Sequence, residues 1–180
     1  EEQFYLLFPL VLMLTMKASK NWAISVLSLI LIASIATGQW ASNTEPLAAY
    51  YLFPTRAWEL IIGSLTAILL LQKRALPLKE NLREIGGWLG IFLITYAVFI
   101  YNKDTPFPGL YALVPTLGTT FIIVFATQQT IVGRLIGSRI LVSIGLVSYS
   151  AYLWHQPLLT FLRFYNFGDI DKYTALISVI

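Results

Sequence analysis

The stretch IGGWLGIFLITYAVFIY, residues 85–101, contains no charged side chain. As a helix it would rise about 26 Å at 1.5 Å per residue, close to the roughly 30 Å hydrocarbon core of a bilayer. A segment that offers so little to water reads as a membrane span. Comparable apolar runs flank it at residues 3–16, 22–37, 55–71, 110–127 and 141–161, and a seventh begins near Tyr173. The first two are short for spans, which implies little tilt or flanking residues drawn into the interface.

Composition agrees. Of the 180 residues 57% are hydrophobic and only 12% charged, where a soluble domain is about one quarter charged. The mean hydropathy of +0.72 needs a solvent other than water. The fold class expected is therefore all-α, a multi-pass transmembrane helix bundle of six to seven helices in one membrane domain. The absence of cysteine excludes disulfides, thiolate metal sites and thiol nucleophiles, and a single histidine excludes a histidine-rich metal site. No metal-binding spacing, Gly-rich phosphate loop or internal repeat is present, so no metal or bound cofactor is expected.

The loops carry the orientation. Cations gather in alternate ones: Lys17 and Lys20, then Lys73, Arg74, Lys79 and Arg83, then Arg134 and Arg139. Between them lie loops with only Glu45, with Lys103 beside Asp104, and with Asp169, Asp171 and Lys172. By the positive-inside rule the first, third and fifth loops are cytoplasmic. A net charge of +3 distributed in this way writes topology and leaves no nucleic-acid footprint. The outer face then receives Glu1 and Glu2, residues 50–59, the turn at 106–111 and the end of the sixth helix.

Three groups of residues stand out there. Glu1-Glu2-Gln3-Phe4-Tyr5 opens the first apolar run, where acidic residues complement a helix dipole or line a polar cavity. In Phe53-Pro54-Thr55-Arg56-Ala57-Trp58-Glu59, Thr55 is placed to cap, and Arg56 and Glu59 sit three apart on one face, within pairing distance. That face continues through Gly63, Thr66 and Ala67, a small and polar stripe suited to close helix packing, so the pair points inward rather than at lipid. Arg56, in the first turn, also suits an interfacial anchor. The third group runs from Ser148 to Pro157, with Gly145, Ser148, Tyr152 and His155 at helical spacing. His155 lies sixteen residues beyond Arg139, about 24 Å along a helix. Pro157 cannot donate to the Leu153 carbonyl and should kink the helix just past the histidine. Histidine suits a general base, and equally a hydrogen-bonding residue between helices. Trp58, Tyr149 and Trp154 suit packing or an interfacial belt.

Glu1-Glu2-Gln3-Phe4-Tyr5-Leu6 with Pro9, then Pro54-Thr55-Arg56-Ala57-Trp58-Glu59 with Gly63, then Ser148-Tyr149-Ser150-Ala151-Tyr152-Leu153-Trp154-His155-Gln156-Pro157, in this order and separation, resemble acyltransferase family 3. The later two strings are similar to its O-antigen acetylase branch, which often carries an extracytoplasmic SGNH-hydrolase-like domain after the helices; none lies in this sequence. The resemblance implies about ten membrane helices. It makes this chain a partial domain over residues 1–180, lacking the early helices with their catalytic arginine and histidine and cut at its C-terminal end. It further implies O-acylation of a cell-surface carbohydrate such as O-antigen, with cytoplasmic acyl-CoA, usually acetyl-CoA, as donor, in the bacterial plasma (inner) membrane. Partners are then membrane lipid, the acceptor carbohydrate and acyl-CoA. The catalytic candidates are His155, Glu59, Arg56 and Glu2, with His155 either the base or, since the family's catalytic histidine falls in the early helices, a group that positions acyl donor or sugar beside a supporting network of Glu59 and Arg56. The substrate-binding candidates are Glu1, Tyr5, Ser148, Tyr149 and Tyr152. A transporter or flippase of a lipid-linked glycan, which also uses Pro-interrupted helices and intramembrane charges, is the main rival class, and a non-catalytic membrane scaffold the other.

Overall fold

A computed structural model describes residues 2–72, 78–102, 105 and 109–165. Glu1, Lys73, Arg74, Lys103, Asp104, residues 106–108, Asp169, Asp171, Lys172 and the seventh span expected near Tyr173 lie outside the described residues. The described residues are helical: α1 (Glu2–Ala18), α2 (Lys20–Thr44), α3 (Pro46–Tyr51), α4 (Phe53–Gln72), α5 (Glu80–Ile100), a 3-10 turn at Leu110–Ala112, α6 (Leu113–Phe125), α7 (Ile131–Ile136) and α8 (Arg139–Tyr165). All six expected spans are helices. Three segments, Lys20–Thr44, Ala49–Leu71 and Glu80–Ile100, are long and apolar enough to cross a membrane, while Tyr5–Lys17 and Leu110–Phe125 are shorter apolar helices. Leu6, Leu29, Val98 and Phe99 are each at least 68% exposed, an outward apolar surface suited to lipid and costly in water.

The largest boundary difference lies at the end of the second span, and two short helices were not expected. The second span, expected to end at Thr37, continues to Thr44, because Gly38, Ala41 and Ser42 are buried against neighbouring helices and packing extends the helix past the end of the apolar run. The loops after it and after α6 hold the short helices α3 and α7, too brief to register as hydrophobic periodicity.

The chain forms two compact units, residues 1–133 and 134–180. In the first, α2 packs against α1 and α4 around Leu27, Ala57 and Ile61, with Phe8, Leu12 and Leu65 on the periphery. The buried face of α2 is mostly small, with Ala23, Ser34, Gly38, Ala41 and Ser42. Without a hydrophobic driving force between helices in lipid, small residues that let backbones approach become the means of association. The α5–α6 pair carries this furthest. A Cβ on Gly90 would lie 2.7 Å from the Gly118 carbonyl oxygen, and one on Gly118 2.9 Å from that of Gly90. Gly87 similarly receives Val132 of α7, which is fully buried.

Neighbouring spans in this unit are antiparallel. Ser34, late in α2, meets Pro54 and Trp58 at the start of α4, and Tyr101, just past α5, donates to the Tyr111 carbonyl before α6 at 2.9 Å. Gln39 accepts from the Leu110 amide at 2.8 Å. The end of α2, the starts of α4 and α6 and the end of α5 thus share one end of the unit, the end expected outside from the loop charges. Lys17, Lys20, Lys79 and Arg83 lie at the other.

The second unit is built on α8, which continues through Pro157 to Tyr165. The proline does not end it.

Candidate functional site

The α2–α4 contact fixes the outer turn of α4. Ser34 donates to the Pro54 carbonyl at 2.6 Å and accepts from the Trp58 amide at 3.1 Å. One hydroxyl thereby serves both partners of a single helical step. Trp58 is 1% exposed, so of the two roles open to it, packing is the one it takes. Thr55 does not cap α4. The helix begins two residues earlier, and the hydroxyl lies 2.6 Å from both the Ala49 and Leu52 carbonyl oxygens, closing the α3–α4 corner. Ser34→Ala should therefore lower stability by about 1–3 kcal/mol, since it strips the Pro54 carbonyl and the buried Trp58 amide of a shared partner. Thermal unfolding of the detergent-solubilised protein measures it, and a shift no larger than that of an exposed serine variant would refute it.

With that turn held, Arg56 and Glu59 meet as their spacing predicts. Arg56 Nη2 donates to Glu59 Oε2 at 3.0 Å and Nε to Oε1 at 3.3 Å, a two-pronged pair. The guanidinium carbon also lies 5.1 Å from the centre of the Tyr50 ring, which leaves the cation neutralised on one side and stacked on another. The Glu59 side chain retains 24% exposure and Arg56 39%, so the pair is reachable.

Glu59 borders a cleft of about 270 Å³ between α4 and α6, lined also by Gly63, Thr116, Thr119, Thr120 and Ile123. Of the stripe expected to pack inward on α4, Thr66 is buried, whereas Gly63, which borders the cleft, and Ala67 are exposed. The α6 threonines carry no sequence signal, since hydroxyls in an apolar helix ordinarily return their protons to their own backbone.

At the opposite end, Glu84 Oε1 accepts from the Ile131 amide at 2.5 Å, tying α5 to the first residue of α7. Its Oε2, like Thr127 Oγ1, is buried without a hydrogen-bond partner among the described residues. Glu84 lies in the first turns of α5, and its charged neighbours Glu80 and Arg83 hid it in the sequence.

In the second unit, His155 Nδ1 is hydrogen-bonded to the Tyr152 carbonyl. A carbonyl only accepts, so Nδ1 donates in this contact and Nε2 is the ring nitrogen left for a further partner. The Tyr152 ring lies 5.4 Å from the imidazole, Ser148 donates to the Gly145 carbonyl at 2.7 Å, and Tyr149 and Tyr152 are exposed. Of the N-terminal candidates, Glu2 is the first residue of α1 and Tyr5 is exposed one turn on.

An all-α bundle of the membrane-spanning kind, with an ion pair beside a cleft in its first unit, is the architecture of an integral membrane protein. The chain belongs to acyltransferase family 3: the family's profile, described as "Acyltransferase domain", matches residues 1–179. Relatives include a Staphylococcus aureus (strain COL) protein named provisionally as an O-acetyltransferase, 30% identical over 196 residues, 99% of this chain and 32% of the relative. The peptidoglycan O-acetyltransferase OatA of Listeria monocytogenes serovar 1/2a is 27% identical over 171 residues, 89% of this chain and 27% of that protein. A Bacillus subtilis (strain 168) protein, named provisionally as the peptidoglycan O-acetyltransferase YrhL, is 28% identical over 170 residues, 88% of this chain and 27% of that protein. The chain spans about a third or less of the length of these relatives. No solved structure matches it.

Proposed function

We propose that the protein to which this chain belongs is a multi-pass O-acetyltransferase of the bacterial plasma membrane. It moves an acetyl group from acyl-CoA on the cytoplasmic side to a hydroxyl of a cell-envelope carbohydrate outside. The observation that carries this is the family match over residues 1–179 together with relatives named for O-acetyl transfer, two of them on peptidoglycan. The alternating loop charges suit a reaction with donor and acceptor on opposite sides. Peptidoglycan joins O-antigen and related polysaccharides as an acceptor on the strength of the relatives' names.

In this scheme a base takes the proton of the acceptor hydroxyl, the oxygen attacks the acyl carbonyl, and the coenzyme A thiolate leaves. The Nε2 lone pair of His155 suits the first step, and general base catalysis contributes roughly 10²–10⁴-fold. Arg56, paired with Glu59 through two of its five N–H groups, is suited to hold charge near the acceptor.

Mass spectrometry of peptidoglycan and surface polysaccharide from cells carrying the full-length gene, a deletion, or His155→Ala tests this. Loss of an acetyl mass in the deletion establishes the transferase, and the same loss in His155→Ala, at normal membrane abundance, establishes the histidine. Retention of acetylation in the variant removes His155 from the site, and no acetyl difference in the deletion overturns the transferase in favour of transport.

A further inference from the structure

The polar groups of the α4–α6 cleft share one character. Thr116 donates its only hydroxyl proton to the Ala112 carbonyl at 2.7 Å, Thr119 to Pro115 at 3.0 Å and Thr120 to Thr116 at 2.8 Å. Each hydroxyl oxygen is left with lone pairs and no proton to give. Glu59 is a carboxylate, an acceptor by nature, and Arg56, which bonds to it through Nε and Nη2, is not among the residues that line the cleft. The cleft is therefore an apolar trough whose polar lining only accepts hydrogen bonds.

That character selects between the two substrates of the proposed reaction. The reacting part of an acyl thioester presents a carbonyl and a sulfur, which need donors the cleft lacks. A sugar presents hydroxyl protons on a ring whose C–H faces suit apolar walls such as Ile123 and Gly63. Size selects in the same direction. A cleft of about 270 Å³ falls just below the range of roughly 300–1,000 Å³ typical of pockets for drug-sized ligands, so it accommodates one ring and not a coenzyme A. Of its α4 residues, Glu59 and Leu60 lie in the half of that helix nearer the end expected outside from the loop charges, and Gly63 at its middle.

We propose that the α4–α6 cleft is the acceptor subsite, in which one sugar residue of the glycan donates its hydroxyls to Glu59 and to the Oγ1 atoms of Thr116, Thr119 and Thr120. This rests on the reading of the protein as an O-acetyltransferase, and it adds which substrate the cleft holds and by what pattern.

The test uses membranes bearing the full-length protein, radiolabelled acetyl-CoA, and peptidoglycan glycan strands or O-antigen polysaccharide, whichever the wild type labels. The triple variant Thr116→Val/Thr119→Val/Thr120→Val keeps the shape of each side chain and removes its oxygen. It should raise the KM for glycan about tenfold or more, the sum of several modest hydrogen bonds, with the KM for acetyl-CoA within about twofold of wild type. Gly63→Leu guards against a folding artefact. A Cβ there meets no atom within 4 Å, so a larger side chain fills the cleft without disturbing the helices, and the same one-sided rise in glycan KM is expected. A rise in the acetyl-CoA KM instead, or unchanged glycan KM in an inserted and folded Gly63→Leu protein, would overturn the assignment while leaving the transferase intact. A wild type that labels neither glycan removes the transferase reading itself, and the subsite with it.

Discussion

Glu59→Gln in the full-length protein is expected to lower glycan O-acetylation by about 100-fold or more, with membrane abundance near that of the wild type. The amide keeps the size of the side chain and loses the charge. It can no longer receive both prongs of Arg56, now 3.0 and 3.3 Å away, and it introduces a donor into a cleft built of acceptors. Removing one member of an ion pair leaves the other charge uncompensated, whereas loss of both members is often close to neutral. The double variant Arg56→Gln/Glu59→Gln therefore separates the two contributions. If Glu59 serves only to neutralise Arg56, the double variant regains activity; if its carboxylate contacts the acceptor, the double variant stays as low as Glu59→Gln. Recovery in the double variant would confine Glu59 to a structural role.

The second large effect concerns stability. Gly118→Leu should separate α5 from α6, because its Cβ alone would stand 2.9 Å from the Gly90 carbonyl oxygen and from Ile94, and 3.1 Å from Leu93. A backbone oxygen cannot swing aside as a side-chain end can, so the helices must part. Overpacking typically costs about 1–3 kcal/mol, and a rigid backbone contact belongs at the upper end. Gly90→Val should behave likewise, its Cβ meeting the Gly118 oxygen and Ile122. The expected result is a steep fall in folded protein recovered from membranes, with Gly63→Ala at wild-type yield as the matched control. Equal yields for Gly118→Leu and Gly63→Ala would show that the crossing is looser than its geometry.

Much of this was readable from the chain alone. Uncharged runs such as residues 85–101 leave a helix in lipid as the economical backbone solution, because the backbone must satisfy its own hydrogen bonds there. The three-residue spacing of Arg56 and Glu59 places both on one helical face and leads directly to their pairing. The three motif strings were enough to suggest the family, which the match over residues 1–179 bears out. Element ends were less legible: α2 runs past its apolar stretch because small residues near its end are buried, and Thr55 closes a corner with Ala49 and Leu52 instead of capping.

What remained for the tertiary structure was the pairing of faces. Helical periodicity states which residues share a side of one helix, and is silent about which side of another helix they meet. Nothing in the sequence joins Glu59 to Thr116, Thr119 and Thr120, more than fifty residues away, or sets Ser34 between Pro54 and Trp58. Those meetings follow from where small residues let helices approach, at Gly90 against Gly118 and at Ser34 against the start of α4. In a bilayer close approach is the principal means of choosing partners, so the sequence determined that these helices exist and span, and the packing of their smallest residues decided where the cleft would lie.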